Sequence, residues 1–174
     1  MARLYSYTYM SLDGVMSSPE RWTSPYFSDE MAQDLAERLE SAAGMVLGRD
    51  TYTEFADFWP RQGRDVPFAE INNRIRKYVV SGSLARADWQ NSVLVKDLDG
   101  LAALRAHGDL HITGSGRLIR SLLERRLLDE VVIMMCPVAL GHGTHLFEGL
   151  AARGLDLVDV VQFPRGVLSL TFQP

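Results

Sequence analysis

Short runs of apolar residues recur along the chain, separated by polar or glycine-containing stretches. Five of them cover residues 45–47, 78–80, 93–95, 110–113 and 131–135. Runs this short that do not alternate with polar residues are typical of strands covered on both faces, the usual state of parallel strands. The alternating segment MARLYSYTYM at the N-terminus predicts one further strand. The pattern therefore predicts a sheet with mostly buried strands.

Between these runs, apolar residues recur at helical spacing, which indicates helices with one buried and one solvated face. The first pattern predicts a helix over about residues 29–42. A second, shorter pattern follows the possible N-cap Asp97, and a third follows Gly114. Their apolar positions are Phe27, Met31, Leu35 and Leu39, then Leu101 and Leu104, then Leu118, Ile119, Leu122 and Leu123. Strands that alternate with helices imply right-handed crossovers and a largely parallel sheet.

The end of the chain has a different pattern. The segments LDLVDVVQF and VLSLTF alternate partly and are joined by PRG, residues 164–166, which predicts an antiparallel hairpin. The length of 174 residues fits a single domain over residues 1–174.

Composition and charge narrow the class of protein. With 47% hydrophobic residues and no apolar run near the roughly 18 residues of a membrane span, we expect a soluble protein without a membrane partner. The N-terminus lacks the apolar core of a secretory signal, and the lone Cys136, expected in the core, excludes an intrachain disulfide; both favour the cytoplasm. A net charge of -4 and a pI near 5.5 argue against a nucleic-acid partner.

The stretch MVLGRDTYTEF joins a predicted strand to a predicted helix, and we call it the first junction. Gly48 ends the strand, and Thr51 stands three residues before Glu54, the spacing of a capping box. The N–H groups at a helix start attract anions, and the guanidinium of Arg49 is a planar fork suited to phosphate. The segment is therefore either a plain strand-to-helix turn or a site for a nucleotide phosphate.

A second junction follows the run LHIT, where GSGRLIRSLL, residues 114–123, leads directly into an amphipathic helix. Its glycines let the backbone approach a ligand closely, and Ser115 can cap the helix or bond a phosphate. The full dinucleotide fingerprint is absent, because Ile119 stands where its third glycine would fall. Two such junctions after parallel strands indicate a ligand site at the carboxyl ends of the strands.

Other polar motifs give weaker signals. Asp13 precedes Gly14 in SLDGVM, which suits an Asx-type turn and also makes Asp13 a candidate catalytic carboxylate. His142 and His145 lie among glycines in a predicted loop without a nearby acidic or cysteine partner, so we expect no metal site. Nucleophile-elbow and Walker patterns are absent from the sequence, which disfavours hydrolase and kinase functions.

In their order, these motifs resemble the dihydrofolate reductase-like superfamily, and within it the small stand-alone relatives of the RibD C-terminal domain, the reductase domain of riboflavin biosynthesis. The resemblance covers nearly the whole chain and rests on SLDGVM, LGRDTYTEF, FWP, KYVVSGSL, ITGSGRLIRSLL and LLDEVVIMMCPVALGHGTHLFE. It implies an α/β three-layer sandwich with a mostly parallel central sheet of about eight strands and an antiparallel C-terminal hairpin. An NADPH cleft across the strand ends and a homodimer are also implied.

The resemblance also assigns residues to the site. The implied cofactor-binding residues are Gly48, Arg49, Thr51, Ser81, Gly82, Ser83, Thr113, Gly114, Ser115, Gly116, Arg117, Leu118 and Ile119. Within that set, Gly-Arg-x-Thr would contact the cofactor phosphates, Ser81 the adenosine 2′-phosphate, and the glycine-rich turn the pyrophosphate. Asp13, Met16 and Trp22 fall on the loop that covers nicotinamide and substrate, with Asp13 as the catalytic candidate.

The chain departs from the family pattern in one cofactor-binding motif and at one position linked to the substrate. Ser81-Gly82-Ser83 replaces the common Ser-Arg-Thr, so Arg49, helped by Arg117, has to supply the missing charge. Thr113 stands where riboflavin-pathway reductases usually have Glu, which speaks against their ribosyl-pyrimidine substrate.

The proton donor is left open. In dihydrofolate reductases an acid on the first helix protonates the substrate, and Asp29 and Asp34 bracket that position here. Asp13, Asp29 and Asp34 are therefore all candidates.

The leading hypothesis is an NADPH-dependent reductase that transfers hydride to a C=N or C=O bond of a small heterocyclic, pterin- or pyrimidine-like substrate. One alternative is the 5-amino-6-(5-phosphoribosylamino)uracil reductase of riboflavin biosynthesis. The other is a nucleotide-binding dimer without catalytic activity.

Overall fold

Eight strands and five α-helices are present in the computed structural model, which describes residues 2–174. The strands are β1 (Leu4–Ser11), β2 (Gly44–Gly48), β3 (Lys77–Val80), β4 (Ser92–Val95), β5 (Leu110–Thr113), β6 (Glu130–Cys136), β7 (Asp156–Gln162) and β8 (Leu168–Gln173). The α-helices are α1 (Asp29–Ser41), α2 (Arg49–Phe58), α3 (Ala69–Arg74), α4 (Leu98–Ala103) and α5 (Gly116–Glu124). Short 3₁₀-helices occupy Pro19–Arg21, Trp59–Arg61, Leu104–His107 and Pro164–Gly166. Within the described residues, no helix has the length and apolarity to cross a membrane.

The strands form one sheet in the order β4-β3-β2-β5-β1-β6-β8-β7. The six strands from β4 to β6 are parallel, and β1 lies between β5 and β6. The last two strands differ, because β8 runs antiparallel to both β6 and β7. The structure confirms the mostly parallel sheet and its antiparallel C-terminal hairpin.

Helices cover both faces of the sheet, which makes the three layers. Along β2, Val46 belongs to the apolar cluster that α5 covers, whereas Met45 and Leu47 belong to the cluster beneath α1, α2 and α3. All three side chains are fully buried, as expected for a strand covered on both faces. A third cluster beneath α1 contains the fully buried Cys136, so its predicted place in the core is confirmed.

The helix starts agree only in part with the sequence patterns. Asp97 caps α4 as predicted, because its carboxylate accepts a hydrogen bond from the Gly100 N–H at 2.7 Å. The predicted capping box at the first junction is wrong, since α2 already begins at Arg49 with Gly48 as its N-cap. Thr51 lies inside the first turn, where its hydroxyl is free to bond the second junction.

The edge strand β7 is exposed along its whole length. Leu157, Val158, Val160 and Val161 retain between 42% and 53% of their accessible surface, which is unusual for four apolar residues on one strand. The homodimer stays a prediction, for which this edge offers an apolar surface.

His111 of β5 is fully buried, and its Nδ1 lies 3.3 Å from the Tyr5 hydroxyl. Burial, with a smaller contribution from Arg38, lowers the pKa of His111 to about 3. The unfolded chain binds this proton near pH 6.5, so the free energy of unfolding is expected to fall as the pH drops below that value. We expect a loss of about 2 kcal/mol between pH 7 and pH 5, where few carboxylates titrate.

Denaturant unfolding at the two pH values measures this loss in the wild type, in His111→Gln and in the exposed control His107→Gln. The loss should shrink in His111→Gln and persist in the control. An equal pH dependence in all three proteins would contradict the assignment to His111.

Candidate functional site

A cleft of about 870 Å³ runs along the carboxyl ends of β2, β3 and β5 and extends beside β1. Both junctions and the turn after β3 line it, which brings together residues 48–51, 81–83 and 113–118. Open α/β sheets bind ligands at this edge. A larger groove of about 1070 Å³ lies outside α2 and α3 and is lined by neither the second junction nor the end of β3.

Ser115 connects the two junctions through its side chain. Its Oγ accepts a hydrogen bond from the Gly48 N–H at 2.9 Å and lies 2.8 Å from the Thr51 Oγ1. The approach is close because Gly48 has no side chain: a Cβ there would lie 2.5 Å from the Ser115 Oγ. The helix starts of α2 and α5 are thereby held side by side at the floor of the cleft.

The backbone of the second junction is left-handed at two consecutive residues. Gly114 has a φ of 61° and Ser115 a φ of 60°, a conformation that is uncommon for a non-glycine residue. In this conformation the Ser115 hydroxyl does not cap its own helix, which was one of the two roles expected for it. It caps the other junction instead, because its partner is the backbone of Gly48.

Two arginines line the cleft beside the junctions. Arg49 reaches across to the end of β3, where its Nη1 donates to the Ser83 Oγ at 3.2 Å. Its Nε donates to Asp50 at 2.9 Å, and the same carboxylate lies 4.0 Å from the Arg117 guanidinium. Asp50, a residue that the sequence motifs did not assign, therefore orients Arg49 beside the cleft and stands near Arg117.

Ser81, Gly82 and Ser83 form a tight turn after β3. The Ser81 hydroxyl accepts hydrogen bonds from the backbone N–H groups of Ser83 and Leu84 at 3.3 and 3.0 Å. This turn places the Ser83 hydroxyl against Arg49.

Not every residue assigned to the cofactor lines the cleft. Leu118 does, but Ile119 is fully buried in the cluster between α5 and the sheet. The side chain of Ile119 therefore packs behind the second junction and cannot contact a ligand in the cleft.

The loop after β1 is divided between the cleft and the protein interior. Met16 lines the cleft, and its Sδ occupies the space that a Cβ on Gly116 would take. Trp22 does not line it, because its indole N–H donates to the Ser17 carbonyl at 3.0 Å and its ring packs against the cluster beneath α1. Met16 is thus the member of this loop that touches the second junction.

Asp13 anchors this loop and does not line the cleft. Its carboxylate accepts hydrogen bonds from the Ser11 hydroxyl at 2.6 Å and from the N–H groups of Gly141 and Leu140 at 2.7 and 3.1 Å. These bonds hold the pKa of Asp13 well below its usual range. Asp13 therefore serves as an anchor between this loop and residues 140–141, and its carboxylate does not face the cleft as a catalytic group would have to.

The two candidate acids of α1 also lie outside the cleft. Asp29 is exposed at the start of the helix, and both oxygens of Asp34 accept from the Nε of Arg38 at 2.9 and 3.0 Å. Among residues 2–174, the acidic side chains that line the cleft are Glu20, Asp50 and Glu54.

An aromatic inner wall completes the cleft, and the sequence motifs missed it. Tyr7 and Tyr9 of β1 form its base, and their ring centroids lie 5.8 Å apart in an edge-to-face arrangement. The remaining members come from α1, α2, α3 and the residues next to these helices; they are Leu35, Leu39, Phe55, Trp59, Phe68 and Asn72. The alternation in YSYTYM places the tyrosines on one face of a strand and could have signalled this wall.

The strand order, the antiparallel hairpin and the cleft at the carboxyl edge define a protein of the dihydrofolate reductase-like fold. The chain belongs to the RibD C-terminal domain family, whose model matches residues 3–169. Membership in this reductase family implies an oxidoreductase. A comparison with curated proteins gave no match.

Solved structures share the fold at low sequence identity. A proposed riboflavin biosynthesis protein from Shewanella sp. PV-4 has a TM-score of 0.78 at 23% identity, over 99% of this chain and 98% of the other. A pyrimidine reductase-like protein from Corynebacterium diphtheriae has a TM-score of 0.69 at 14% identity, over 99% and 91%. A Thermotoga maritima diaminohydroxyphosphoribosylaminopyrimidine deaminase/5-amino-6-(5-phosphoribosylamino)uracil reductase has a TM-score of 0.71 at 14% identity, over 99% of this chain and 56% of that one.

Proposed function

We propose that the protein is an NADPH-dependent reductase that transfers hydride to a C=N or C=O bond of a small heterocyclic substrate. The observation that carries this proposal is the Ser115 link, which holds two helix starts side by side at the carboxyl ends of parallel strands. Helix N-termini bind phosphate through their N–H groups, and a dinucleotide presents two adjacent phosphates.

The residues present fit such a cofactor. The three glycines at the floor of the cleft, Gly48, Gly114 and Gly116, allow neighbouring side chains to pack closely against the two junctions. Arg49 and Arg117 stand beside the cleft with 49% and 82% of their side-chain surface exposed. A bound NADPH would supply the hydride, while the protein supplies orientation and electrostatics. Its phosphates would be held by the two junctions and its 2′-phosphate by Arg49.

A second candidate is the 5-amino-6-(5-phosphoribosylamino)uracil reductase of riboflavin biosynthesis, which the family match favours. Thr113 in place of the usual Glu and an inner wall without cations count against it. Turnover of that compound by the purified protein would establish this candidate.

Replacing Arg49 with alanine should weaken NADPH binding by roughly 10- to 100-fold, because charge-assisted hydrogen bonds contribute about 1.5–3 kcal/mol. The loss of NADH affinity should be smaller, since NADH lacks the 2′-phosphate. Calorimetric titration of both nucleotides into the wild type and the variant measures the difference.

Arg61→Ala is a matched control, because Arg61 is exposed, pairs with Asp57 and lies outside the cleft. It should leave both affinities unchanged. Equal losses for NADPH and NADH in Arg49→Ala would show that Arg49 does not recognise the 2′-phosphate. No saturable binding of either nucleotide to the wild type at micromolar concentrations would refute the proposed function, and tight binding without turnover would favour the non-catalytic dimer.

A further inference from the structure

Four polar groups of the cleft wall are buried and make no hydrogen bond within the described part of the chain. Three of them, the hydroxyls of Tyr7 and Tyr9 and the indole N–H of Trp59, belong to the aromatic inner wall, and the fourth is the hydroxyl of Thr113 at the end of the neighbouring strand β5. Tyr7 is 97% buried, since only 3% of its surface is exposed, and it pairs in register with Thr113 on the neighbouring strand. A buried donor or acceptor without a partner destabilises a protein, so such a cluster in one wall requires an explanation.

The same wall carries no positive charge. Among residues 2–174, the cations that line the cleft are Arg49, Arg117 and Arg120, and all three belong to the two junctions or to α5. Arg120 is already engaged, because its Nη1 donates to the carbonyls of His145 and Leu146. Arg38 lies behind the wall, where Asp34 binds it and its guanidinium stands 5.5 Å from the Tyr7 ring centroid.

The charge that does reach this part of the cleft is negative. Glu54 of α2 lines the cleft one turn before Phe58 and in front of the aromatic wall, and it is exposed. A phosphate or carboxylate buried there would find no cation and would face an acid. Burying an unpaired anion costs several kcal/mol, so the wall selects against such a group.

Aromatic rings surround the polar groups of this wall. The rings of Phe55 and Trp59 lie 6.1 Å apart edge to face on one side, and Tyr7 with Tyr9 forms the base. Aromatic rings in such arrangements favour planar aromatic partners. Burial raises the pKa of both Tyr7 and Tyr9. Like any tyrosine hydroxyl at neutral pH, both are protonated and can donate hydrogen bonds.

We propose that the substrate of this cleft is an uncharged planar ring without a phosphate group, whose polar edge is hydrogen-bonded by Tyr7, Tyr9, Trp59 and Thr113. This inference rests on the proposed function, because it describes the substrate of the same reductase site. Small side-chain movements on binding bring the ring edge to these groups, as is common when ligands enter a preformed site.

A matched pair of compounds tests the absence of phosphate. The probes are 5-amino-6-(5-phosphoribosylamino)uracil and its dephosphorylated riboside, titrated calorimetrically into the wild-type protein with and without saturating NADP⁺. The riboside should bind at least 10-fold more tightly than the phosphorylated compound. Equal or tighter binding of the phosphorylated compound would overturn the inference, whatever the outcome of the nucleotide titrations.

Two variants test the hydrogen-bonding edge. Tyr9→Phe and Trp59→Phe should each weaken riboside binding by about 10-fold and leave NADPH binding unchanged. Tyr9→Phe should also raise the Tm by about 2–4 °C, because it removes a buried hydroxyl that has no partner in the free protein. Tyr26→Phe, outside the cleft, is the control and should not change binding.

A higher Tm together with weaker riboside binding in Tyr9→Phe is expected only if the Tyr9 hydroxyl binds the ligand. A lower Tm with unchanged binding would mean that the hydroxyl has a structural partner, and the inference would fail. Failure of the proposed function would appear differently, as a lack of NADPH binding to the wild-type protein. Riboside binding is measured without nucleotide, so it tests the substrate inference independently.

Discussion

Gly48→Ala is expected to weaken NADPH binding by roughly 10- to 100-fold, because hydrogen bonds from the displaced helix starts to a charged phosphate contribute about 1.5–3 kcal/mol. The added Cβ would lie 2.5 Å from the Ser115 Oγ and 3.0 Å from the Ser115 Cβ. Ser115 would have to move away, which separates the two helix starts and removes the hydrogen bond to the Gly48 N–H. Overpacking of this kind also lowers the free energy of unfolding by about 1–3 kcal/mol.

Gly82→Ala is the matched control, because Gly82 lines the same cleft but has open space around it. The nearest atom to a Cβ there is the Lys96 carbonyl oxygen at 3.9 Å. Calorimetric NADPH titration and denaturant unfolding should show a large effect in Gly48→Ala and little change in Gly82→Ala. Wild-type NADPH affinity in Gly48→Ala would mean that the Ser115 link is not needed for binding.

Lys77→Ala is expected to lower the free energy of unfolding by about 2–5 kcal/mol, the usual cost of truncating a large buried side chain to alanine. Lys77 is fully buried at the start of β3, and its ammonium donates to the carbonyls of Asn73, Ile75 and Gln90 at 3.0, 2.9 and 3.1 Å. The same ammonium lies 4.1 Å from the Trp89 ring centroid. Alanine would leave three carbonyls without a partner and a cavity beside the indole.

The chain contains only one other lysine, the exposed Lys96, so Lys96→Ala is a natural control and should change the free energy of unfolding by less than about 0.5 kcal/mol. Denaturant unfolding of both variants gives the comparison. Similar values for Lys77→Ala and Lys96→Ala would contradict a structural role for the buried ammonium.

The contribution of Lys77 to the free energy of unfolding should also depend on pH. Burial lowers its pKa to about 8 in the folded protein, whereas the unfolded side chain titrates near 10.5. The unfolded state therefore binds more protons between these values, and the wild type should gain about 2 kcal/mol between pH 8 and pH 9.5. Lys77→Ala should lack this gain, and its persistence in the variant would assign it to another group.

The secondary structure could be predicted well because its signals are local. The helix stripe from Met31 to Leu39, the cap at Asp97 and the hairpin around PRG depend on residues within a few positions of one another. The capping box at Thr51 failed for a non-local reason, since the Thr51 hydroxyl bonds Ser115, 64 positions away. A local motif cannot show that a distant partner has already taken the group it needs.

The candidate site also contains residues that local motifs predict and residues that only distant contacts reveal. The two junctions and Met16 could be found from motifs, because glycine-rich turns after strands have recognisable sequences. Asp13 shows the limit: its motif predicted a turn or a catalytic acid, and only the packing of residues 140–141 against its carboxylate favoured the anchoring role. Tyr9 was missed because a tyrosine on a buried strand is ordinary until its hydroxyl is found without a partner.

By itself the sequence determined the alternation of strands and helices, the burial of the parallel strands and the identity of the two junctions, since periodicity and turn chemistry act over short distances. The tertiary structure decided that β1 and β5 are neighbours and that the Ser115 hydroxyl bonds Gly48 and Thr51 of the first junction. It also decided that residues of α1 and α2 complete the aromatic wall beside Tyr7 and Tyr9. These features depend on contacts between residues far apart in the chain, which form only when the whole sheet assembles.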